Sequence, residues 1–240
     1  DFKSLDLVKK FKMPAIKISS GLMTNIPLVT EASKMKVPII ISTGMCFEKE
    51  IIKTLEIAKK NNKTGVALLK CTSLYPASDN TINLLAIRKF ISNFQVPIGY
   101  SDHTVNNLAC LLAIGAGAKI IEKHFTLNNK QKGLDHKMSS EPKDFKELVR
   151  DIRRTENLMG KDIIGPHFHE IKQRSKNFRS ILATKKIYKN KELTFSNIAL
   201  KRTSNYTTSL SSKYFYKVLG KRAKMNIQVK EKILFKKIKK

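Results

Sequence analysis

The sequence has no tryptophan, only three cysteines, and few acidic residues, with 19 Asp and Glu against 47 Lys and Arg. An odd and sparse set of cysteines provides no disulfide framework and suits a reducing compartment. The longest apolar runs, such as residues 37–41 and 109–114, are far shorter than the roughly 20 residues that span a bilayer. No charged-then-apolar leader opens the chain. These absences predict a globular, cytoplasmic protein with no membrane partner.

The net charge of +28 is concentrated toward the end of the chain, where residues 177–240 carry 18 Lys and Arg against 2 Asp and Glu. Such charge attracts anions, so a basic nucleic-acid-binding protein is one alternative. Tyr206, Tyr214, Phe215 and Tyr216 lie among lysines, but their spacing is not that of a nucleic-acid module. We interpret the charge as a compositional bias toward lysine on solvated faces.

Five short β-branched runs recur in the first 125 residues, at 15–19, 37–43, 66–72, 96–101 and 119–125. Each run is nearly continuous in apolar character, which is typical of a strand buried on both faces. Helical patterns lie at residues 48–61, 80–94 and 106–116, and a further helix is predicted to begin near Glu141. This alternation predicts an α/β fold with a parallel sheet.

Polar residues follow each predicted strand, as Ser20, Ser42, Ser73, Ser101 and His124 illustrate. A doubly wound sheet could hold five β/α units, but in a (β/α)8 barrel every strand delivers its carboxyl end to one shared mouth. Five polar strand ends in register favour the barrel. The predicted fold is therefore a partial barrel.

Hydroxyls and glycines between a strand and a helix can bind phosphate, because backbone N–H groups and the helix dipole favour an anion there. Ser20, Ser42, Ser73 and Ser101 could converge on one phosphate, with positive charge from Lys17. The alternative is that these serines cap helices.

His103 and His124 follow two consecutive predicted strands, so both imidazoles could face one cavity. Such a pair could bind a divalent metal ion, with water and substrate oxygens completing an open coordination shell. The alternative is that each is an ordinary core or surface histidine. His167 and His169 lie in a polar stretch and are interpreted as solvated. Because the sequence places no base beside Cys71, we interpret it as a buried, inert thiol.

These residues stand in six strings: KISSG, PIIISTGM, LLKCTSLYPA, VPIGYSDHT, IIEKHFTL and DHKMSSEP. In order and approximate spacing they resemble the sialic acid synthase family, which comprises the N-acetylneuraminate synthases and their legionaminic and pseudaminic acid relatives. The resemblance runs essentially end to end. It implies a partial TIM barrel of about strands 4 to 8 in residues 1–160, a linker at 161–177, and a small β-rich antifreeze-like (SAF) domain at 178–240.

The resemblance further implies a transferase that condenses phosphoenolpyruvate with an N-acetylmannosamine-type sugar. The products are a nonulosonic (sialic) acid, used in cell-surface polysaccharides, and phosphate. His103 and His124 match the family's metal ligands, which implies Mn²⁺, with Mg²⁺ and Co²⁺ as alternatives, and together with Lys17 they would be catalytic. The positions that match phosphoenolpyruvate contacts are Lys17, Ser20, Ser42, Ser73 and Ser101, and those that match sugar contacts are Tyr75 and Asp135. Arg202 resembles the arginine that is offered to a partner subunit's site, which implies a domain-swapped homodimer.

Two positions depart from the family pattern. The family usually has Ser-Gly-Glu after the strand, whereas this chain has Ser20-Gly21-Leu22, so Leu22 replaces the glutamate. Arg202 is followed by Thr203-Ser204 instead of Pro-Gly. A catalytically weakened relative is therefore an alternative function. The chain also begins at Asp1, partway through the family pattern, which suggests a fragment of a longer protein that is inactive alone.

Overall fold

The computed structural model describes residues 1–203 and 210–239. Two residues mentioned above, Ser204 and Tyr206, lie outside the described residues. The chain divides into two compact units, Asp1–Lys161 and Asp162–Lys240. Within the described parts, no helix is both long enough and apolar enough to cross a membrane.

The first unit is an α/β half-barrel built on a parallel five-stranded sheet, in which the strands follow one another in chain order. The strands are β1 (Ile16–Ile18), β2 (Ile39–Ser42), β3 (Val66–Cys71), β4 (Ile98–Asp102) and β5 (Ile121–Lys123). The helices are α1 (Phe2–Lys10), α2 (Ile26–Ser33), α3 (Glu48–Asn61), α4 (Asp79–Ile82), α5 (Ala86–Asn93), α6 (Leu108–Gly115) and α7 (Pro142–Met159). The predicted α/β class, the parallel sheet and the incomplete barrel are confirmed.

The side chains of each strand alternate between the concave face of the sheet and the face covered by helices. Ile39 and Ile41 of β2, Leu68 of β3, and Ile98 and Tyr100 of β4 all point to the helices and are nearly inaccessible to solvent. They form one core cluster with apolar residues of α2, α3, α5 and α6. The intervening residues, which carry most of the polar groups, therefore face the concave side.

Local signals explain where the helices begin. The side chain of Asn25 accepts from Leu28 N at 3.3 Å and caps α2, and Pro142 takes the first turn of α7, where a missing N–H is tolerated. Glu50 accepts from Phe47 N at 2.7 Å at the start of α3. These contacts fix where each helix leaves the end of the preceding strand or loop.

One predicted helix is wrong in its continuity. Residues 80–94 were expected to form one helix, but α4 ends at Ile82 and α5 begins at Ala86. Asn83 lies between them in the left-handed region, with φ 48° and ψ 61°. Asparagine tolerates this conformation better than most residues, and the buried ammonium of Lys70 binds the Ile82 carbonyl that the break exposes. The break therefore satisfies a buried lysine.

The second unit holds the helix α8 (Phe168–Asn177), the antiparallel strands β6 (Arg179–Ala183) and β7 (Ile198–Arg202), and the short helix α9 (Phe215–Val218). Isolated β-bridges such as Ile187 to Ile227 and Ala223 to Ile238 extend the pairing beyond the two strands. A separate apolar core lies within this unit. The stretch 161–177, expected as a linker, contains α8.

Candidate active site

The polar residues that follow or end the strands meet on the concave face of the sheet. Cys71 of β3, Ser101 of β4 and Glu122 of β5 are aligned in register across three neighbouring strands. Ser42 and Lys17 extend the same face across β2 and β1. The concave face therefore carries a hydroxyl, an ammonium, a thiol and a carboxylate within one cavity.

Lys17 and Glu122 join the two edge strands across this cavity. Lys17 Nζ lies 2.7 Å from Glu122 Oε1, although β1 and β5 are the first and last strands of the sheet, which is therefore strongly curled. The same carboxylate accepts from Ser101 Oγ at 2.7 Å. Burial raises the pKa of Glu122, but the bonds from Lys17 and Ser101 outweigh it and hold this pKa below its ordinary value. Glu122 is therefore an anion in contact with two of the predicted phosphate-binding groups.

Sequence reasoning missed Glu122, although a signal was present. It lies two residues before His124 on the same strand, and alternate residues of a strand share a face. Any residue at this spacing from a cavity-facing histidine also faces the cavity.

The side chain of Lys17 is partly exposed on this face, with 34% of it accessible to solvent. The charge of its ammonium is therefore only partly desolvated.

The serines expected to bind phosphate do not cap helices. Ser20 Oγ accepts from Gly44 N at 2.9 Å, and within the described residues Ser42 Oγ and Ser73 Oγ are buried without a hydrogen-bond partner. Buried hydroxyls without partners are costly and rare in native proteins. An acceptor-rich ligand in the cavity would satisfy both.

Gly44 makes this cluster of hydroxyls possible. A Cβ at position 44 would lie 2.2 Å from Ser73 Oγ, 2.8 Å from Ser20 Oγ and 3.3 Å from Cys71 Sγ. The first two distances are shorter than side chains tolerate. Glycine therefore leaves the space in which the hydroxyls of Ser20 and Ser73 and the thiol of Cys71 approach one another.

The structure brings His103 and His124 together at the ends of β4 and β5, with ring centroids 5.2 Å apart. His103 Nδ1 lies 2.6 Å from the Thr72 carbonyl, to which it donates. Asp135 Oδ2 lies 3.7 Å from His124 Nδ1. Tyr75 stacks on His103 with centroids 4.2 Å apart. The two predicted sugar-contacting residues thus adjoin the two predicted metal ligands.

The two imidazoles are suited to a shared metal ion. Because His103 donates from Nδ1 to a backbone carbonyl, its Nε2 carries the lone pair, as it does in most metal-ligating histidines. Burial, and the positive charge of His103 when that ring is protonated, lower the pKa of His124, which favours its neutral, ligating form. Burial also lowers the pKa of His103, but its contacts with Cys71 and the Thr72 carbonyl outweigh burial and raise that pKa, so a metal ion must displace a proton more often at His103 than at His124. Among the described residues, no group of three or more His, Cys, Asp and Glu could hold a metal ion. Two histidines would therefore leave the remaining coordination positions to water and substrate oxygens.

Cys71 is buried, as expected, but an imidazole lies beside it that the sequence did not reveal. Cys71 Sγ lies 3.9 Å from His103 Nδ1. Burial raises the pKa of this thiol, but the interaction with His103 outweighs burial and lowers it below its ordinary value. The sequence could not show this contact because β3 and β4 are 32 residues apart at these positions.

Arg202 ends β7 in the second unit and is exposed, so its role stays a prediction. Leu22 lies in a short 3-10 helix directly after Ser20 and is 38% exposed. His167 and His169 are exposed, as expected.

Comparison with known proteins shows the family of this chain. The model of the NeuB family matches residues 1–164. The chain is 34% identical to an N,N'-diacetyllegionaminic acid synthase of Legionella pneumophila, covering 98% of this chain and 66% of that protein. It is 36% identical to a protein of the same name from Campylobacter jejuni, covering 97% of this chain and 70% of that protein.

A solved structure agrees. The chain is similar to an N-acetylneuraminic acid (sialic acid) synthetase of Leptospira borgpetersenii, with a TM-score of 0.69 and 34% identity over 74% of this chain and 63% of that one. The chain belongs to the NeuB family, and the resemblance inferred from its six sequence strings is confirmed. It spans about two thirds of the length of the curated relatives it matches.

Proposed function

We propose that the protein condenses phosphoenolpyruvate with an N-acetylmannosamine-type sugar to give a nonulosonic acid and phosphate. The observation that carries this proposal is the convergence of Lys17, the unpartnered hydroxyls of Ser42 and Ser73, and the His103–His124 pair on one concave face. The names of the relatives, which are synthases of nonulosonic acids, support it.

The phosphoenolpyruvate would be held on the β1–β3 side of the cavity. Lys17 provides a cation there, and Ser20, Ser42 and Ser73 provide hydroxyl donors around Gly44. Hydrogen bonds to ionised groups are about twice as strong as neutral ones, so three such donors would compensate well for the hydration that the phosphate loses. Ser101 would complete this set from β4.

The sugar would lie on the β4–β5 side, beside Tyr75 and Asp135. His103 and His124 would hold a divalent cation, for which we propose Mn²⁺. When bound, it supplies Lewis-acid polarisation of the sugar aldehyde. Thr72 orients His103 through its carbonyl, and Tyr75 covers the His103 ring and excludes water from that side. The two reactants would then lie on adjacent halves of the concave face.

The reaction balances without an oxidant or reductant. The enol carbon of phosphoenolpyruvate forms a bond to the aldehyde carbon, and the C=O π electrons of the aldehyde move to its oxygen, which takes up a proton. Loss of the enol π electrons leaves positive charge at C2. Water adds at C2 and loses a proton, and the tetrahedral adduct gives the ketone as its remaining hydroxyl proton leaves and the C–O bond to phosphate breaks. The anionic Glu122 beside Lys17 is placed to stabilise positive charge or accept the proton of that water.

We further propose that residues 178–240 form an antifreeze-like domain and that Arg202 serves the sugar site of a partner subunit in a domain-swapped homodimer. Arg202 is exposed at the end of β7, as such a contact would require. Sedimentation should then give a dimer. Arg202→Ala should raise the KM for the sugar and leave the KM for phosphoenolpyruvate unchanged.

The activity is tested with the full-length protein, by the release of phosphate from phosphoenolpyruvate in the presence of Mn²⁺ and N-acetylmannosamine or its 2,4-diacetamido analogues. We expect release with one of these sugars, and none after His103→Ala or His124→Ala, with urea unfolding little changed. If the native protein releases no phosphate with any of them while a control synthase does, the proposal is wrong.

A catalytically weakened relative is a second candidate, favoured by Leu22. Leu22 lies two residues after Ser20 in the same short 3-10 helix and is exposed, so a glutamate could be introduced there without disturbing the core. Leu22→Glu should then raise turnover at least about tenfold, since general acid–base groups contribute about 10²–10⁴-fold. A native turnover that Leu22→Glu does not improve would exclude this candidate.

A further inference from the structure

A fully buried ion pair lies on the helix-facing side of the sheet, directly behind the two histidines. Lys123 Nζ lies 2.6 Å from Asp102 Oδ2, and the two side chains are 1% and 0% exposed. Asp102 precedes His103 and Lys123 precedes His124. Because side chains alternate along a strand, the pair occupies the face opposite to the histidines.

This pair is also the last aligned pair of the β4–β5 ladder. The strand register ends with Asp102 opposite Lys123, so the histidines lie one residue beyond the final ladder position. The ladder therefore does not fix the separation of the two imidazoles directly. Their separation depends on how firmly the residues just before them are held.

Asp102 is held by many contacts. Its Oδ1 accepts from Tyr100 Oη at 3.0 Å and Thr104 N at 3.0 Å. Its Oδ2 accepts from Thr104 Oγ1 at 3.1 Å and Cys110 Sγ of α6 at 3.2 Å, in addition to Lys123. A buried network in which every polar group is satisfied is rigid.

Lys123 is equally restrained. Besides Asp102, its ammonium donates to the carbonyls of Thr104 at 2.8 Å and Asn106 at 3.1 Å, which uses all three protons. These carbonyls belong to the loop that follows His103. One lysine on β5 therefore binds the side chain of the residue before His103 and the backbone of the loop after it.

The two histidines differ in their own restraints. His103 has a short bond to the Thr72 carbonyl, whereas the nearest Asp135 oxygen is 3.7 Å from His124 Nδ1. His124 is therefore held mainly through its backbone, whose carbonyl accepts from Ser140 N at 2.8 Å. Its position depends strongly on the residue before it, Lys123.

We propose that Asp102 and Lys123 are positioning residues that set the separation of His103 and His124 and so determine the affinity for the divalent cation. This inference rests on the proposed metal role of the histidines. Residues that orient metal ligands typically change metal affinity 10–100-fold when they are replaced. A buried pair kept only for stability could instead be replaced by neutral residues with no effect on the metal.

The test measures Mn²⁺ binding alone, from the electron paramagnetic resonance signal of free Mn²⁺, in the native protein and in the double variant Asp102→Asn with Lys123→Met. The double variant leaves no lone charge buried. We expect its Mn²⁺ affinity to fall about 10–100-fold, while phosphoenolpyruvate binding, measured by calorimetry, stays unchanged. A purely structural role would not separate these two affinities.

Lys70→Met is the matched control. Lys70 is also a buried lysine on the helix-facing side, and it binds the Thr72 hydroxyl at 2.8 Å, not the Thr72 carbonyl that holds His103. This variant should lose stability in urea and keep Mn²⁺ affinity. A folded double variant that binds Mn²⁺ like the native protein would overturn the proposal.

Two further results are decisive. If the double variant does not fold, Tyr100→Phe removes one donor to Asp102 and keeps both charges, and Mn²⁺ affinity unchanged by it would also overturn the proposal. If the native protein itself binds no Mn²⁺, the proposed function fails together with this inference. If the native protein binds Mn²⁺ and the variants bind it with the same affinity, this inference fails and the proposed function stands.

Discussion

Substitution of Gly44 by alanine offers a direct test of the hydroxyl cluster. The added Cβ would lie 2.2 Å from Ser73 Oγ and 2.8 Å from Ser20 Oγ, so both hydroxyls must move. Both are the ends of side chains that can rotate, so the cost to folding should be about 1 kcal/mol, the value of the bond between Gly44 N and Ser20 Oγ.

The cost to binding should be larger. A hydrogen bond to a charged group contributes about 1.5–3 kcal/mol, and two hydroxyls are displaced. Allowing for partial relaxation, we expect a loss of about 3 kcal/mol, which corresponds to about 100-fold in the Kd for phosphoenolpyruvate. Calorimetric titration of the folded variant measures this directly.

Gly21→Ala provides the matched control, because a Cβ at position 21 meets no atom within 4 Å although Gly21 adjoins Ser20. It should bind phosphoenolpyruvate like the native protein. Equal affinities for the Gly44→Ala and Gly21→Ala variants would refute the idea that this cluster holds the ligand.

Two other substitutions test neighbouring features. Glu122→Gln removes the ion pair with Lys17 and should tighten the binding of inorganic phosphate about fivefold, since a partly exposed ion pair contributes about 1 kcal/mol. Glu31→Gln is the control, because it removes the 2.6 Å surface pair with Lys34 and should leave phosphate affinity unchanged. Calorimetry showing equal phosphate affinity for both would contradict this. Asn83→Val should destabilise the protein by about 1–2 kcal/mol, because the backbone of residue 83 lies in the left-handed region, which β-branched residues avoid. Asn83→Gly should not destabilise it. Equal urea midpoints would exclude backbone strain there.

The half-barrel could be predicted from sequence because its three central strands are almost completely buried on both faces. All five predicted strands are present, with ends that differ from the prediction by at most two residues, and α3 spans the predicted residues 48–61. Burial imposes a near-continuous apolar pattern that local inspection detects. The short helices α1 and α2 were not predicted from the sequence.

Much of the candidate site could also be predicted, since parallel strands deliver their carboxyl ends to one edge. That argument places His103 beside His124 without coordinates. The same argument could not predict the bond between Lys17 and Glu122, which are 105 residues apart, because that bond depends on how tightly the sheet curls. Nor could it find the break at Asn83, where a buried lysine outweighs the helical period of the sequence.

The strict alternation of faces on β4 makes the length of that strand as important as its composition. Ser101 and His103 face the cavity, whereas Tyr100 and Asp102 face the helices. Deleting a single residue earlier in β4 would exchange the two sets, turning the carboxylate into the cavity and the imidazole into the apolar layer. Insertions and deletions among homologues should therefore be confined to the connecting loops, where they leave this parity intact.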